Sequence, residues 1–468
     1  MEQFEMTFDD STIAAVATPA GQGGIAVVRV SGKDALAIVG GAWKGKDLKE
    51  VGSHTVHLGR YVATDGATLD ECVATVFRAP NSFTGEDVVE LGLHGSRWIQ
   101  REVVADLVRR GARGAGRGEF TLRAYMNGRL DLAQAEGVAD LIAASSRAAH
   151  ALALTQTRGS FSRGLEEVRE KLVEFASLLE LELDFSEEDV EFADRQRLEE
   201  LAEGLLSRLD RLAASYSSGA VLKEGVPTVI AGVPNAGKSS LLNLLLGDDK
   251  AIVSDIPGTT RDTIEDTVEI DGVLFRFIDT AGLRSTTDTV ESLGIDRARA
   301  KMRDAHVVLW IFDPTADLTH QLDEFMHFRK DNPEKKVISI VGKEDIATDG
   351  VDISEILTAG EIDPGATVKM SMLTGEGLDN LRVLLKEAAT DGFNPQEEFI
   401  VTNARHYEAL LKGADSLRRA LAGLADGLSA DFIAQDVREA TSHLGAITGA
   451  VTTDTLLHNI FSHFCIGK

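Results

Sequence analysis

The spacing of apolar positions changes along the chain, and the changes divide it. Between residues 11 and 125 the runs Ile25-Ala26-Val27-Val28-Arg29-Val30 and Cys72-Val73-Ala74-Thr75-Val76-Phe77 are short, apolar or alternating, and bounded by Gly, Pro and Asp, which predicts strands. Gly21-Gln22-Gly23-Gly24 reads as a loop before the first of them, and helical spacing from Trp98 to Arg110 is stopped by Gly111. From Leu130 the period becomes helical. Leu132, Ala135, Val138, Ala139 and Ile142 share one face, and similar patterns fill 165–184 and 197–216 with few Gly or Pro, predicting long antiparallel helices. Helical spacing returns after Asn403 through Ala409, Leu410, Leu417, Leu421 and Leu424, and again over 431–447 and 453–464. Between these stretches lies a block that alternates β and α. Phe275-Arg276-Phe277-Ile278, His306-Val307-Val308-Leu309-Trp310-Ile311-Phe312 and Lys336-Val337-Ile338-Ser339-Ile340-Val341 are compact apolar runs suited to buried parallel strands, each followed by a polar or helical stretch. The pattern predicts a multidomain α/β protein: an N-terminal α/β domain (1–128), a helical domain in two parts (129–222 and 389–468), and a doubly wound α/β domain (223–388) inserted between those parts.

The inserted block carries the strongest chemical signal. Gly232-Val233-Pro234-Asn235-Ala236-Gly237-Lys238-Ser239 follows the apolar run 227–231 and precedes the helical-looking 240–246, the strand-loop-helix context that a P-loop requires. Glycines at 232 and 237 let the backbone curl, so that N–H groups of Asn235, Ala236, Gly237, Lys238, Ser239 and Ser240 face a phosphate at a helix N-terminus. Lys238 is placed to reach the β- and γ-phosphates and Ser239 to ligate Mg²⁺.

Four further elements favour GTP over ATP. Thr259-Thr260 lies in the polar loop from Ser254 to Asp262, where a first switch region falls, with Thr260 the candidate second Mg²⁺ ligand. Asp279-Thr280-Ala281-Gly282 follows a strand, placing Asp279 near the metal's water shell and the Gly282 N–H near the γ-phosphate. Gly342-Lys343-Glu344-Asp345 ends another strand and corresponds to Asn-Lys-x-Asp, with Asp345 accepting the guanine N–H donors and Gly342 replacing Asn. Ser371-Met372-Leu373 matches the usual Ser-Ala-Lys loop only at its first position, and a backbone N–H there serves guanine O6. The missing Asn at 342 removes a side chain that ties the base loop to the P-loop, a loss on the order of 1 to 3 kcal/mol where a buried partner goes unsatisfied. Leu283 stands where Ras-like enzymes carry a water-orienting Gln, and an isobutyl group cannot hold a water. Asn235, with carbonyls from the 254–259 loop, could cage a monovalent cation in place of an arginine finger. Glu291 opens the helical segment 290–295 and reads either as a water-orienting carboxylate or as a helix N-terminal acid.

Bulk properties narrow the partners. The chain has 468 residues, 43% of them hydrophobic, and no apolar run near the roughly 18 residues of a membrane span. Residues 1–6 are acidic without an apolar core, which argues against a secretory signal and predicts a cytoplasmic protein. Cys72 and Cys465 are too few for a disulfide framework and lack metal-ligand spacing. The net charge of −27 disfavours non-specific coating of nucleic acid, although a local basic patch could hold RNA. Arg97, Arg101, Arg109, Arg110, Arg113, Arg117, Arg123 and Arg129 form one candidate, with a solvated helix face as the alternative.

Several motifs together resemble the MnmE (TrmE) family of tRNA-modification GTPases over nearly the whole chain. They are Asp10-Ser11-Thr12-Ile13-Ala14-Ala15 with Ala17-Thr18-Pro19, the run from Pro80 to Leu91, Gly118-Glu119-Phe120-Thr121, Arg129 to Glu136, the GTPase set, and the terminal Phe464-Cys465-Ile466-Gly467-Lys468. Close GTPase relatives lack the terminal Cys-Ile-Gly-Lys. The resemblance implies a folate-binding, dimerising N-terminal domain, a discontinuous helical domain, and an inserted Ras-like G domain activated by potassium-dependent dimerisation. It implies a homodimer that joins the flavoprotein MnmG in a heterotetramer. Together they place an aminomethyl or carboxymethylaminomethyl group on C5 of the wobble uridine of certain tRNAs, using 5-formyltetrahydrofolate or a related tetrahydrofolate. By position, Arg29, Glu90, Arg129 and Lys468 fall on folate contacts, Arg129 in place of the family's common Lys. Asn235, Ser254, Ile256 and Thr259 fall on potassium ligands, and Glu291 on the catalytic glutamate. A carboxylate such as Glu90 can pair a pterin's donors, while Arg29, Arg129 and Lys468 suit folate carboxylates. Cys465 reads either as a small buried hydrophobe or, near the folate region, as a reactive thiol. The competing functions are a guanine-nucleotide switch that regulates assembly of an RNA-binding partner, which would have no use for residues 1–130 or the terminal tetrapeptide, and an ATP-using P-loop enzyme, which Asp345 opposes.

Overall fold

The computed structural model describes residues 10–184, 195–248, 266–278, 304–343, 355, 365–390 and 400–467. The chain divides into two compact units. One gathers Met1–Ala139, Gln156–Leu198 and Arg419–Lys468, and the other Asp140–Thr155 and Glu199–Arg418.

The first unit begins with strands β1 (Ile13–Val16) and β2 (Ile25–Ser31), helix α1 (Ala35–Ala42), then β3 (Trp43–Gly45), β4 (Thr55–Val62), β5 (Thr68–Phe77) and β6 (Val88–His94). Helix α2 (Arg97–Arg109), the short β7 (Arg113–Gly114) and α3 (Glu119–Met126) follow. The seven strands form one sheet in the order β3-β4-β5-β6-β2-β1-β7. Period-two alternation gives the sheet two different faces. Val28 and Val30 of β2, Cys72, Ala74 and Val76 of β5, and Val89, Leu91 and Leu93 of β6 join one core with Leu36 and Val39 of α1 and Val103 and Leu107 of α2. The intervening residues turn to the other face, so the antiparallel register pairs Arg29 with Glu90 there.

Helices α4 (Leu132–Ala143), α5 (Arg147–Thr157), α6 (Ser160–Asp184), α7 (Arg195–Ala214) and α8 (Tyr216–Glu224) confirm the helical periodicity that begins at Leu132. The inserted block then supplies β8 (Val226–Gly232), α9 (Lys238–Asp248), β9 (Asp266–Ile270), β10 (Val273–Phe277), β11 (Val307–Phe312), α10 (Leu318–Asp331), β12 (Lys336–Val341), β13 (Ala366–Lys369) and α11 (Leu378–Thr390). Its sheet has the order β13-β12-β11-β8-β10-β9. The pairs β13–β12, β12–β11, β11–β8 and β8–β10 are parallel. The outer strand β9 is antiparallel to β10 and was not legible as a strand, because Asp266-Thr267-Val268-Glu269-Ile270 offers only two apolar side chains to the core. Strand β11 is buried along its whole length because helices cover both faces. Val307, Leu309 and Ile311 pack with Leu241 and Leu245 of α9 and Leu381 and Leu385 of α11. Val308, Trp310 and Phe312 pack on the opposite side with Phe325 of α10.

Helices α12 (Ala404–Ala425), α13 (Ala430–Thr448) and α14 (Asp454–Ser462) close the chain. Thr453 caps α14 by accepting the Leu456 N–H. In the first unit Phe461 and Phe464 pack with Leu122 of α3 and Leu132 and Ala135 of α4. The tail beyond them bridges Ile466 to Arg117, and Cys465 O accepts from Gly118 N at 3.3 Å. Gly118 stands at φ 64°, and a Cβ there would lie 2.8 Å from Phe461 O, so only glycine fits under the tail. No helix among the described residues is long and apolar enough to cross a membrane.

Candidate nucleotide site and the N-terminal sheet face

The winding of the inserted sheet fixes where its site lies. From β8 the order runs to β10 and β9 on one side and to β11, β12 and β13 on the other. The crevice at the carboxyl ends beside β8 is therefore a topological switch point, where such sheets bind ligands. Strand β8 ends there in the P-loop, β11 in Asp313, β12 in Gly342-Lys343, and β13 runs on to Ser371-Met372.

The P-loop has the curled backbone expected of it. Gly232 sits at φ 139° and Gly237 at φ 100°, and a Cβ on Gly232 would stand 2.5 Å from Ile311 O. Asn235 is exposed and left-handed, at φ 62°, a conformation that Asn tolerates better than most residues. Lys238 Nζ donates to Gly232 O and Val233 O, both at 2.8 Å, so the loop's own carbonyls hold the ammonium at its mouth. Burial lowers the Lys238 pKa, and the more distant charge of Glu324 partly opposes that. Ala236 is buried, and Ser239 and Ser240 lie on the first turn of α9, Ser239 half-buried and Ser240 exposed.

A residue that the sequence reading missed, Asp313, holds Lys343 in place. Lys343, left-handed at φ 56°, donates from Nζ to Asp313 Oδ2 at 2.6 Å and to Thr315 Oγ1 at 3.2 Å. Burial alone would raise the Asp313 carboxyl, but hydrogen bonds from Lys343 and Thr315 outweigh it and hold the pKa below the ordinary value. Gln321 of α10 clasps the Asp313 backbone, accepting its N–H at 2.8 Å and donating to its carbonyl at 2.9 Å. The position of Asp313, an acid just past the end of a fully apolar strand, was the available signal. Ser371 is fully buried; its N–H donates to Glu376 O and its Oγ accepts the Thr374 N–H, so Ser371 shapes the loop. Ser254, Ile256, Thr259, Thr260, Asp279, Thr280, Ala281, Gly282, Glu291 and Asp345 lie outside the described residues, as does Lys468.

On the other face of the N-terminal sheet Arg29 meets Glu90 at 2.8 Å, through both Nε and one terminal nitrogen. The Arg29 guanidinium also lies 5.4 Å from the Phe83 ring centroid and 5.5 Å from that of Phe120, two aromatic partners that the sequence did not single out. Arg129 is exposed, and its Cγ lies 3.2 Å from where a Cβ on Gly85 would stand, in the loop that carries Phe83. Cys465 is exposed, which overturns the reading of it as a buried hydrophobe. The core thiol is Cys72, whose pKa burial pushes up to about 12, with the charge of Asp70 adding to the effect.

The arginine-rich stretch is not a free basic patch. Arg101 pairs with Glu102, Arg109 and Arg110 with Asp106, Arg113 with Glu119, and the buried Arg123 with both Glu86 and Glu119. Five of the eight cations are thus matched by acids, because helix spacing and the 80–91 loop bring carboxylates against them. Among the described residues no cluster of three or more His, Cys, Asp or Glu side chains could hold a metal ion.

A family model for the MnmE helical domain matches residues 132–465, and one for the N-terminus of the GTP-binding protein TrmE matches residues 12–129. The chain is similar to the tRNA modification GTPase MnmE of Flavobacterium johnsoniae, with 46% identity covering 98% of this chain and 100% of the relative. The proteins of the same name from Cytophaga hutchinsonii and Parabacteroides distasonis are each 47% identical, covering 100% and 98% of this chain and 100% of the relative.

Proposed function

The chain belongs to the MnmE family of tRNA modification GTPases, and on that premise we propose how its parts share the work. It is a GTP hydrolase, with the nucleotide at the carboxyl edge of the inserted sheet. The observation that carries the assignment of the site is the cradle of Gly232, left-handed Asn235, Gly237 and half-buried Lys238 at the switch point of that sheet.

The phosphates of GTP exchange for the Gly232 and Val233 carbonyls as partners of Lys238, and the ammonium offsets charge that builds on the β- and γ-phosphates. The Ser239 hydroxyl, one residue along on α9, is a hard oxygen donor of the kind Mg²⁺ takes, with Thr260 as second ligand. Ser239 and Thr260 would hold Mg²⁺, which when bound would supply neutralisation of the charge that develops on the phosphates. The Asn235 amide, at the exposed crest of the loop, suits K⁺, together with Ser254, Ile256 and Thr259. Glu291 orients the attacking water that Leu283 cannot hold. Lys343, Asp345 and the loop at Ser371 receive the guanine.

The N-terminal domain (1–128) takes a tetrahydrofolate. Arg29, close to the Phe83 and Phe120 rings and paired with Glu90, offers a cation and a carboxylate beside aromatic side chains. A folate fits that combination, its pterin ring offering donors to Glu90 and its glutamate tail offering carboxylates to Arg29, with Arg129 and Lys468 completing the set. The protein acts as a homodimer in the cytoplasm with the flavoprotein MnmG, modifying C5 of the wobble uridine of certain tRNAs, while GTP hydrolysis in the inserted domain (223–388) drives the conformational cycle of the helical domain (129–222 and 389–468). Nucleoside analysis of tRNA after deletion of the gene tests the reading. Loss of the C5 aminomethyl-type nucleosides is expected, and unchanged wobble uridines would overturn it.

A further inference from the structure

Gly342 does not owe its identity to its backbone. It lies outside the left-handed region that demands glycine, and its N–H donates to Phe312 O at 2.9 Å. A Cβ there would meet Phe312 O at 3.5 Å, Ile311 Cγ2 at 3.6 Å and Met372 Cε at 3.6 Å, all ordinary contacts. An asparagine at this position would tether the base loop to the P-loop through its amide, so its replacement by a residue without a side chain leaves the tether to be supplied in another way.

Met372 reaches both loops. Its Cε faces Gly342, while its Cγ and Sδ lie 3.8 and 3.9 Å from where a Cβ on Gly237 would stand. The same side chain packs, half-buried, against the apolar core under this edge of the sheet, as Val233 of the P-loop does. An unbranched thioether is well suited to fill an irregular gap between two glycines by dispersion.

We propose that Met372 is a positioning residue for the nucleotide, an apolar strut between Gly237 of the phosphate loop and Gly342 of the base loop that replaces the asparagine tether. The proposal rests on guanine binding beside Lys343 and the Ser371 loop. It deepens that reading by assigning the spacing of the phosphate and base subsites to packing instead of a hydrogen bond. Gly342 and Met372 then form one device, in which the absent side chain leaves room for the thioether.

Steady-state GTP hydrolysis and equilibrium binding of GTP and ATP to the full-length protein test this. Met372→Ala is expected to raise KM and Kd for GTP about tenfold with kcat little changed, and Met372→Leu, which keeps the volume, to recover most of that loss. Gly342→Asn alone should tighten GTP little, because the new side chain meets Met372 Cε. In the Met372→Ala background the same substitution should recover about tenfold. Additive effects of the two substitutions would overturn the proposal. So would a Met372→Ala protein whose unfolding midpoint falls while its KM stays put. A wild-type protein that binds ATP as tightly as GTP would remove the guanine reading itself, whereas a GTP-selective protein indifferent to Met372→Ala would overturn the strut alone.

Discussion

Lys238 and Arg29 are each held in place by neighbouring groups of the chain. The Lys238 ammonium is partly desolvated and held by two carbonyls, so it trades weak neutral partners for phosphate oxygens in a site where charge interactions are stronger than in water. Arg29 lies beside two rings and is paired with Glu90, so its guanidinium is oriented by groups of this chain. The water-orienting group is the residue-scale question that the P-loop leaves open, since Leu283 is apolar. Glu291→Ala is expected to lower kcat for GTP hydrolysis on the order of a hundredfold while Kd for GTP stays near the wild-type value. A loss confined to Kd would return Glu291 to the role of a helix N-terminal acid.

At the scale of elements, helix α2 is fastened to the N-terminal sheet by one carboxylate. Asp106 is fully buried and accepts hydrogen bonds from Tyr61 of β4 at 3.0 Å, from the Thr64 hydroxyl at 2.5 Å and N–H at 2.9 Å, and from Arg110 at 2.7 Å. Burial by itself would raise its pKa, but bonds from Thr64, Arg110 and Tyr61 outweigh it and bring the value down from 3.8 to about 2. Because the folded-state pKa is the lower one, the ionised form stabilises the fold above about pH 4, and that contribution fades as pH falls toward 2. Asp106→Asn is therefore expected to cost about 2 kcal/mol at neutral pH and progressively less below pH 4, as read from urea unfolding at several pH values. Helix α10 meets the inserted sheet largely through apolar contact, with Trp310 and Phe312 of β11 set edge-on to Phe325 at centroid distances of 5.3 Å and Gln321 bonded to the Asp313 backbone at the strand's end.

At the scale of the whole molecule, a P-loop followed by Leu283 calls for a catalytic group from outside Gly232–Ser239. With Asn235 as a cation ligand, GTP hydrolysis by the full-length protein is expected to run about tenfold faster in K⁺ than in Na⁺, measured at equal ionic strength, and equal rates would refute the cation cage. Much of the architecture was legible in the chain. The switch from period two to helical spacing at Leu132 and the strand-loop-helix context of Gly232–Ser239 are local, since backbone geometry repeats every two or 3.6 residues and leaves its period in the sequence. The order of the GTPase motifs and the family motifs at both ends were equally local, and they identified the family. Only the tertiary structure decided which distant residues meet. Arg29 and Glu90 are 61 positions apart and face each other because of strand register. Arg123, one of the arginines of the candidate basic patch, was paired with Glu86 of a distant segment, Cys465 was left exposed by the path of the tail, and Met372 was set between two glycines of other loops. Such meetings depend on register, winding and burial, which are properties of the packed chain and leave no period in its sequence.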